Sequence, residues 1–138
     1  MGTHVHSHLL IRPSRPGLGF GLFAARRIEK GSFVIEYTGR RVASAYADTL
    51  PTRYLFELDE AWTIDGSSRS NRARYINHAC TPNAEGLILD GRILVHAVRD
   101  ISEGEEITID YGDEYFEEFI RPKGCKCEHC SSIVARGL

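Results

Sequence analysis

Apolar and polar positions alternate over short stretches of the chain, the pattern of half-buried strands and turns more than of helices. The alternation predicts a first strand over Val5 to Ile11, a second over Ser32 to Tyr37, and a hairpin-like pair over Tyr54 to Leu58 and Trp62 to Asp65. Leu87 to Leu89 and Arg92 to Val98 flank Asp90-Gly91, a dipeptide that suits a two-residue hairpin turn. Glu106 to Asp110 makes one more short strand, whereas Val42 to Leu50 and Asp113 to Ile120 are the best helix candidates. No internal repeat, low-complexity run or linker breaks the series. The pattern predicts a single, mainly β domain with a cysteine-bearing tail.

Composition agrees with an ordinary folded domain. A chain of 138 residues with 42% hydrophobic and 26% charged residues is neither a disordered tail nor a fibre. At that length folding buries roughly two thirds of the unfolded surface, enough for one core. No apolar run approaches the ~18 residues of a membrane span, and the first ten residues hold no apolar stretch of signal-peptide length. The expectation is an intracellular protein, cytoplasmic or associated with chromosome or nucleus, with no membrane partner. His4, His6 and His8 alternate near the start and are read as a strand or frayed end rather than a metal site.

The net charge of −2 gives no global basic field, so no direct nucleic-acid binding is expected. The charges are unevenly placed: residues 1–53 carry eight Arg or Lys against three acids, and residues 103–118 carry eight acids and no base. Such an acidic stretch suits a cationic partner, or is simply a solvated face.

Four cysteines in an intracellular chain point to metal or chemistry before disulfides. Cys125, Cys127 and Cys130 fall within six residues and cannot all pair with the distant Cys80, but four sulfurs can close a tetrahedral zinc site. Such a site would staple the tail to the Cys80 loop. A redox pair with two spare thiols is the alternative, and His129 could substitute for one ligand.

Three further segments carry chemistry in combination. Gly17-Leu18-Gly19-Phe20-Gly21 has closely spaced glycines that let the backbone approach a ligand, although no dinucleotide fingerprint follows and a tight turn explains it equally well. Residues 71–83, NRARYINHACTPN, are unusually rich in hydrogen-bonding side chains for a surface loop. Residues 104–112, GEEITIDYG, read as a strand ending in Asp-Tyr-Gly.

Taken in order, the Gly19-Phe20-Gly21 turn, Glu36-Tyr37-x-Gly39, Asp65-Gly66, Arg74-Tyr75-Ile76-Asn77-His78-x-Cys80 and Glu106-x-x-x-Asp110-Tyr111 resemble the motifs of SET-domain protein lysine methyltransferases. The Cys-x-Cys-x-x-Cys tail is similar to the post-SET zinc segment of that family, and the likeness runs from about Leu10 to Cys130. The resemblance implies a minimal SET plus post-SET arrangement, with residues 1–121 as the SET domain and 122–138 as the post-SET segment. It implies a fold of several small sheets in which the Asn-His segment passes the Asp-Tyr segment in a pseudoknot. It also implies S-adenosylmethionine as cofactor and zinc on Cys80, Cys125, Cys127 and Cys130.

Roles follow from the same resemblance. Gly19, Phe20 and Gly21 would contact the cofactor through their backbone, Asn77 and His78 through its amino-acid and adenine parts, with Arg74 and Tyr75 on the pocket wall and Phe116 against the adenine or the channel. Tyr111 would be the catalytic tyrosine and Tyr37 an aromatic of the lysine channel. Asp65 and Asn71 read as scaffold, buried polar groups that tie loops together by hydrogen bonds. Ile109 stands where relatives alternate between Phe and Tyr to set product multiplicity, and an aliphatic side chain there implies that di- or trimethylation is open. The implied substrate is a lysine in a basic protein segment, such as a histone, histone-like or ribosomal protein. A catalytically silent SET module that binds a peptide or the cofactor is the alternative.

Overall fold

The computed structural model describes residues 8–52, 54–112 and Cys125. Among them the chain forms β1 (Leu9–Pro13), β2 (Phe20–Ala24), β3 (Phe33–Tyr37), β4 (Arg40–Ala43), α1 (Ser44–Ala47), β5 (Leu55–Glu57), β6 (Trp62–Asp65), a 3-10 turn (Arg72–Tyr75), β7 (Asn77–His78), β8 (Ala84–Leu89), β9 (Arg92–Ala97) and β10 (Thr108–Ile109). The architecture is mainly β and divided into small sheets. β1 pairs with β2, the order β3-β9-β8 makes one three-stranded sheet, β4-β6-β5 makes another, and β10 pairs with β7.

The β8–β9 hairpin matches its sequence signal. Asp90 and Gly91 take φ of 52° and 75°, the two positive values that an Asp-Gly turn supplies at low steric cost. Leu89 then faces Arg92 and Ala84 faces Ala97. β5 and β6 pair antiparallel as expected, but β4 joins β6 on its other side, with Val42 opposite Thr63. That pairing corrects the helix expected over Val42 to Leu50. Val42 is buried in the strand, and the helix is a single turn, Ser44–Ala47, whose first amide donates to Ala61 O at 2.8 Å.

Other boundaries shift for identifiable reasons. The first strand runs Leu9–Pro13, and Val5 to Ser7 lie outside the described residues. The glycine segment is both turn and strand: Ser14 N–H donates to Gly19 O at 2.7 Å to close the loop, and β2 follows with Leu22 and Ala24 buried. Only Thr108–Ile109 of the strand expected over Glu106 to Asp110 is regular, since Glu106 instead bridges to Phe23. Asp113 to Ile120 lies outside the described residues.

Leu22, Val34, Ile35, Ile93, Val95, Ile101 and Ile107 are fully buried and tie β2, the β3-β9-β8 sheet and the segment before β10 into one core. Each such side chain contributes about 1.5–3 kcal/mol through burial. The core is what holds β2 against residues 104–107: Ala24 N–H donates to Glu105 O at 3.0 Å and Ile107 N–H to Leu22 O at 2.8 Å.

Two polar side chains lock the loops around it. Asn71, 1% exposed, accepts from Thr38 N–H at 3.0 Å and donates to Gly66 O at 3.0 Å. A Cβ at Gly66 would sit 2.4 Å from the Tyr37 ring and 2.5 Å from Asn71 Nδ2, so this position has room only for hydrogen. Asp65, expected to be buried, is half-buried, and its contact is local, accepting from Ser67 N–H two positions on at 3.1 Å. No helix among the described residues is long and apolar enough to cross a membrane.

Candidate active site

The site is made by a two-residue parallel ladder. β7 and β10 pair with Asn77 beside Thr108 and His78 beside Ile109, and Ala79 N–H continues the ladder to Ile109 O at 2.9 Å. Because residues 104–107 also line β2, the glycine segment, the Asn-His segment and the Asp-Tyr segment converge. This is the juxtaposition implied by the resemblance.

At the meeting point Asn77 Nδ2 donates to Phe20 O at 3.0 Å and to Glu106 Oε2 at 2.7 Å. The other Glu106 oxygen accepts from Ser14 Oγ at 2.6 Å. A Cβ on Gly21 would lie 2.3 Å from Glu106 Oε2, so glycine at 21 is what lets the carboxylate reach the β2 backbone. Gly19 has φ of 67° and bends the chain into this approach. The Phe20 side chain is exposed and its carbonyl is the part engaged.

Tyr111 follows β10 and packs beside the Asn-His segment. Its hydroxyl donates to Ile76 O, and its amide donates to His78 Nδ1 at 3.0 Å, with the two rings 5.4 Å apart. A neutral imidazole that accepts at Nδ1 carries its proton on Nε2, the nitrogen 3.5 Å from Cys80 Sγ. Burial holds the His78 pKa below its ordinary value, opposed in part by Asp110 at 3.7 Å. His78 is therefore neutral near pH 7, and the tautomer makes it a donor toward the Cys80 sulfur.

The sulfurs of Cys80 and Cys125 lie 4.0 Å apart, far beyond a disulfide of about 2.05 Å. Two thiolates on one zinc, each about 2.3 Å from it, stand roughly 3.8 Å apart in a tetrahedron. The spacing fits a shared metal, and the ligand atoms of His78, Cys80 and Cys125 lie within 4.8 Å of one another. Cys127, Cys130 and Phe116 fall outside the described residues.

Arg74 and Tyr75 sit on the 3-10 turn just before β7. The Arg74 guanidinium lies 4.3 Å from the Tyr54 ring centroid and 5.5 Å from that of Tyr75, and its buried Nε has no hydrogen-bond partner among the described residues. A buried N–H without a partner is costly and invites a ligand acceptor or water. Tyr37 is 8% exposed, packed against Phe56 with centroids 5.4 Å apart, and belongs to the main core on which Tyr111 also rests. Ile109 is buried in the same core.

The acidic stretch is less of a surface than its charges suggest. Glu105 accepts from Arg99, Ser102 N–H and Asn83, and Glu106 from Ser14 and Asn77, which leaves Glu103 and Asp110 as the exposed acids among the described part of that stretch. Sequence reasoning gave Glu106 no role, although it stands in a motif, and missed Ser14 altogether. Glu106 had a signal in its fixed offset from Asp110-Tyr111, whereas Ser14 meets it only through the fold.

The family model "SET domain" matches residues 19–112. Among curated relatives, the chain is 35% identical over 128 residues to the histone-lysine N-methyltransferase trithorax of Drosophila virilis, which covers 84% of this chain and 3% of that protein. It is 40% identical over 105 residues to an H3 lysine-4 specific histone-lysine N-methyltransferase of Aspergillus oryzae, covering 67% of this chain and 8% of that one. It is 32% identical over 142 residues to the histone-lysine N-methyltransferase mes-4 of Caenorhabditis elegans, covering 86% and 16%. The chain thus spans a small part of each of these relatives.

Proposed function

The chain belongs to the SET-domain family of protein lysine methyltransferases, and on that premise we propose that it transfers a methyl group from S-adenosylmethionine to a lysine in a basic protein segment. The relatives' names favour a histone as that protein, and hence a place at chromatin. The observation that carries the proposal is the β7–β10 pairing, which brings Tyr111 against Ile76 and His78, next to Asn77 and the Phe20 carbonyl.

S-adenosylmethionine would supply a methyl group already activated by its sulfonium. The backbone of Gly19 to Gly21, with Arg74, Tyr75, Asn77, His78, Tyr111 and Phe116, would hold it; the unpartnered Arg74 Nε suits its carboxylate. What remains for the protein is to place a neutral amine in line, largely a matter of proximity. A free lysine has a pKa near 10.4, so deprotonation at pH 7 costs roughly 4.6 kcal/mol. A desolvating wall that includes the buried Tyr37 lowers that cost, and no strong general base is needed. Tyr111 gives its hydroxyl proton to Ile76 O, so toward the reacting centre that oxygen would act as an acceptor and not as a donor. With Ile109 in the core rather than a hydroxyl before Asp110-Tyr111, more than one round of methylation stays open. Residues 1–121 would form the SET domain and 122–138 a post-SET segment closed by zinc on Cys80, Cys125, Cys127 and Cys130.

Purified protein incubated with labelled S-adenosylmethionine and core histones tests the reading. Label on a defined lysine is expected, reduced about 100-fold or more in Tyr111→Phe, within the range for a positioned group in the transition state. Equal labelling by Tyr111→Phe contradicts the assignment of Tyr111, and cofactor binding without transfer to any basic protein favours the silent module. For the metal, elemental analysis should find one zinc per chain, and a chelator should lower transfer while the β core keeps its melting transition. Full activity after metal removal would refute the four-cysteine site.

A further inference from the structure

The buried ring of His78 is engaged at both edges. Nδ1 accepts from the Tyr111 amide at 3.0 Å, and a backbone N–H can only donate, so that nitrogen carries no proton. The ring is then neutral with its proton on Nε2, which lies 3.5 Å from Cys80 Sγ, within reach of a hydrogen bond to sulfur. The ligand atoms of His78, Cys80 and Cys125 cluster closely enough to be read as three ligands of one ion. The proton separates them. A ring nitrogen that carries hydrogen has no lone pair for a metal, so His78 faces the site as a donor while the sulfurs face it as ligands.

We propose that His78 is a positioning residue outside the ligand set: its Nε2–H donates to the metal-bound Cys80 sulfur while its Nδ1 holds the Tyr111 amide, so that one side chain ties the metal site to the backbone of the tyrosine assigned to catalysis. The inference rests on the proposed zinc site and says how the protein supports one of its sulfurs. A thiolate on zinc keeps part of its negative charge, and an N–H aimed at it offsets that charge and fixes the direction of the ligand. Half a turn of the ring about its bond to Cβ would put carbon in place of both nitrogens. In histidine the two bonds therefore form or fail together, and the metal site and the Tyr111 segment, 33 positions apart from His78 in sequence, share one orientation.

The test uses the full chain without cofactor, loaded with an NMR-active isotope of cadmium in place of zinc and labelled with heavy nitrogen in its histidines. The expected spectrum shows the His78 ring proton on Nε2, with a weak coupling to cadmium carried through the sulfur. A direct cadmium–nitrogen coupling makes His78 a ligand and overturns the inference, as does a ring proton with no coupling to the metal. Two substitutions then separate the edges. In His78→Asn the side-chain oxygen takes the place of Nδ1 and keeps the hold on Tyr111, but no donor reaches the sulfur. In His78→Gln the side-chain N–H takes the place of Nε2 and keeps the donor, but Tyr111 loses its acceptor. Zinc affinity, read by competition with a chelator, should fall about tenfold in His78→Asn, the scale of a lost outer partner of a metal ligand, and by clearly less in His78→Gln. A loss in His78→Gln as large as that in His78→Asn is what a merely structural role predicts and overturns the inference, as does an unchanged affinity in His78→Asn. Should either variant fail to fold, the wild-type spectrum decides. Wild-type protein that takes up neither cadmium nor zinc refutes the metal site itself, and the inference with it.

Discussion

Asn83 and Asn77 lie six positions apart and use their amides in opposite ways. Asn83 is fully buried and spends everything on the protein: Nδ2 donates to Glu106 O at 2.8 Å and Glu105 Oε2 at 3.2 Å, and Oδ1 accepts from Thr108 N–H at 2.9 Å. Asn71 does the same between Thr38 and Gly66. Around Asn77 the accounts do not close among the described residues, where its two contacts both use Nδ2 and the nearby Arg74 has a buried Nε with no partner. Where every polar atom is satisfied internally, the side chain is scaffold. Where a fixed donor or acceptor is left over, it is available to a ligand, and the two behaviours predict different losses on mutation.

The largest effect on stability is expected at the scaffold end. Asn83→Ala strips a buried carbonyl and a buried amide of their partners and should cost about 3 kcal/mol in denaturant unfolding. A cost below about 1 kcal/mol would erase the contrast with Asn77. A smaller effect comes from Glu105. Burial pushes its carboxyl up, but Arg99, the Ser102 amide and Asn83 together outweigh this and hold it below its ordinary value of 4.5. The folded state then binds fewer protons than the unfolded state in that range. The contribution is present above pH 4.5 and is lost as pH falls through the lowered native value. Thermal melts between pH 3 and 6 should show it, as a shift smaller than that of Asn83→Ala and reduced in Glu105→Gln.

Much of this was legible in the chain. The Asp90-Gly91 turn was readable because its positive φ values are a local demand that few residue pairs meet. The β4–α1 region was misread because Val42 and Ala47 satisfy a helical face as readily as a strand followed by one turn, and only the β6 partner decides. The site motifs were visible as residues, and the contact that assembles them was not. β7 and β10 are two residues each, with no period to detect, and their pairing joins positions 31 apart in sequence, as 108 minus 77. Ser14 and Glu106 illustrate the same limit, since nothing local to either announces the other.

The central claim is that the cofactor binds where β2 meets the β7–β10 pair, through polar atoms that the described residues leave unspent. The direct measurement is a calorimetric titration of S-adenosylhomocysteine into wild type and Asn77→Ala, each with its melting curve. One-to-one binding in the wild type, weakened at least about tenfold in Asn77→Ala with a stability loss clearly smaller than that of Asn83→Ala, is the predicted result. Unchanged binding in Asn77→Ala, or loss of the fold on the scale of Asn83→Ala, would contradict it.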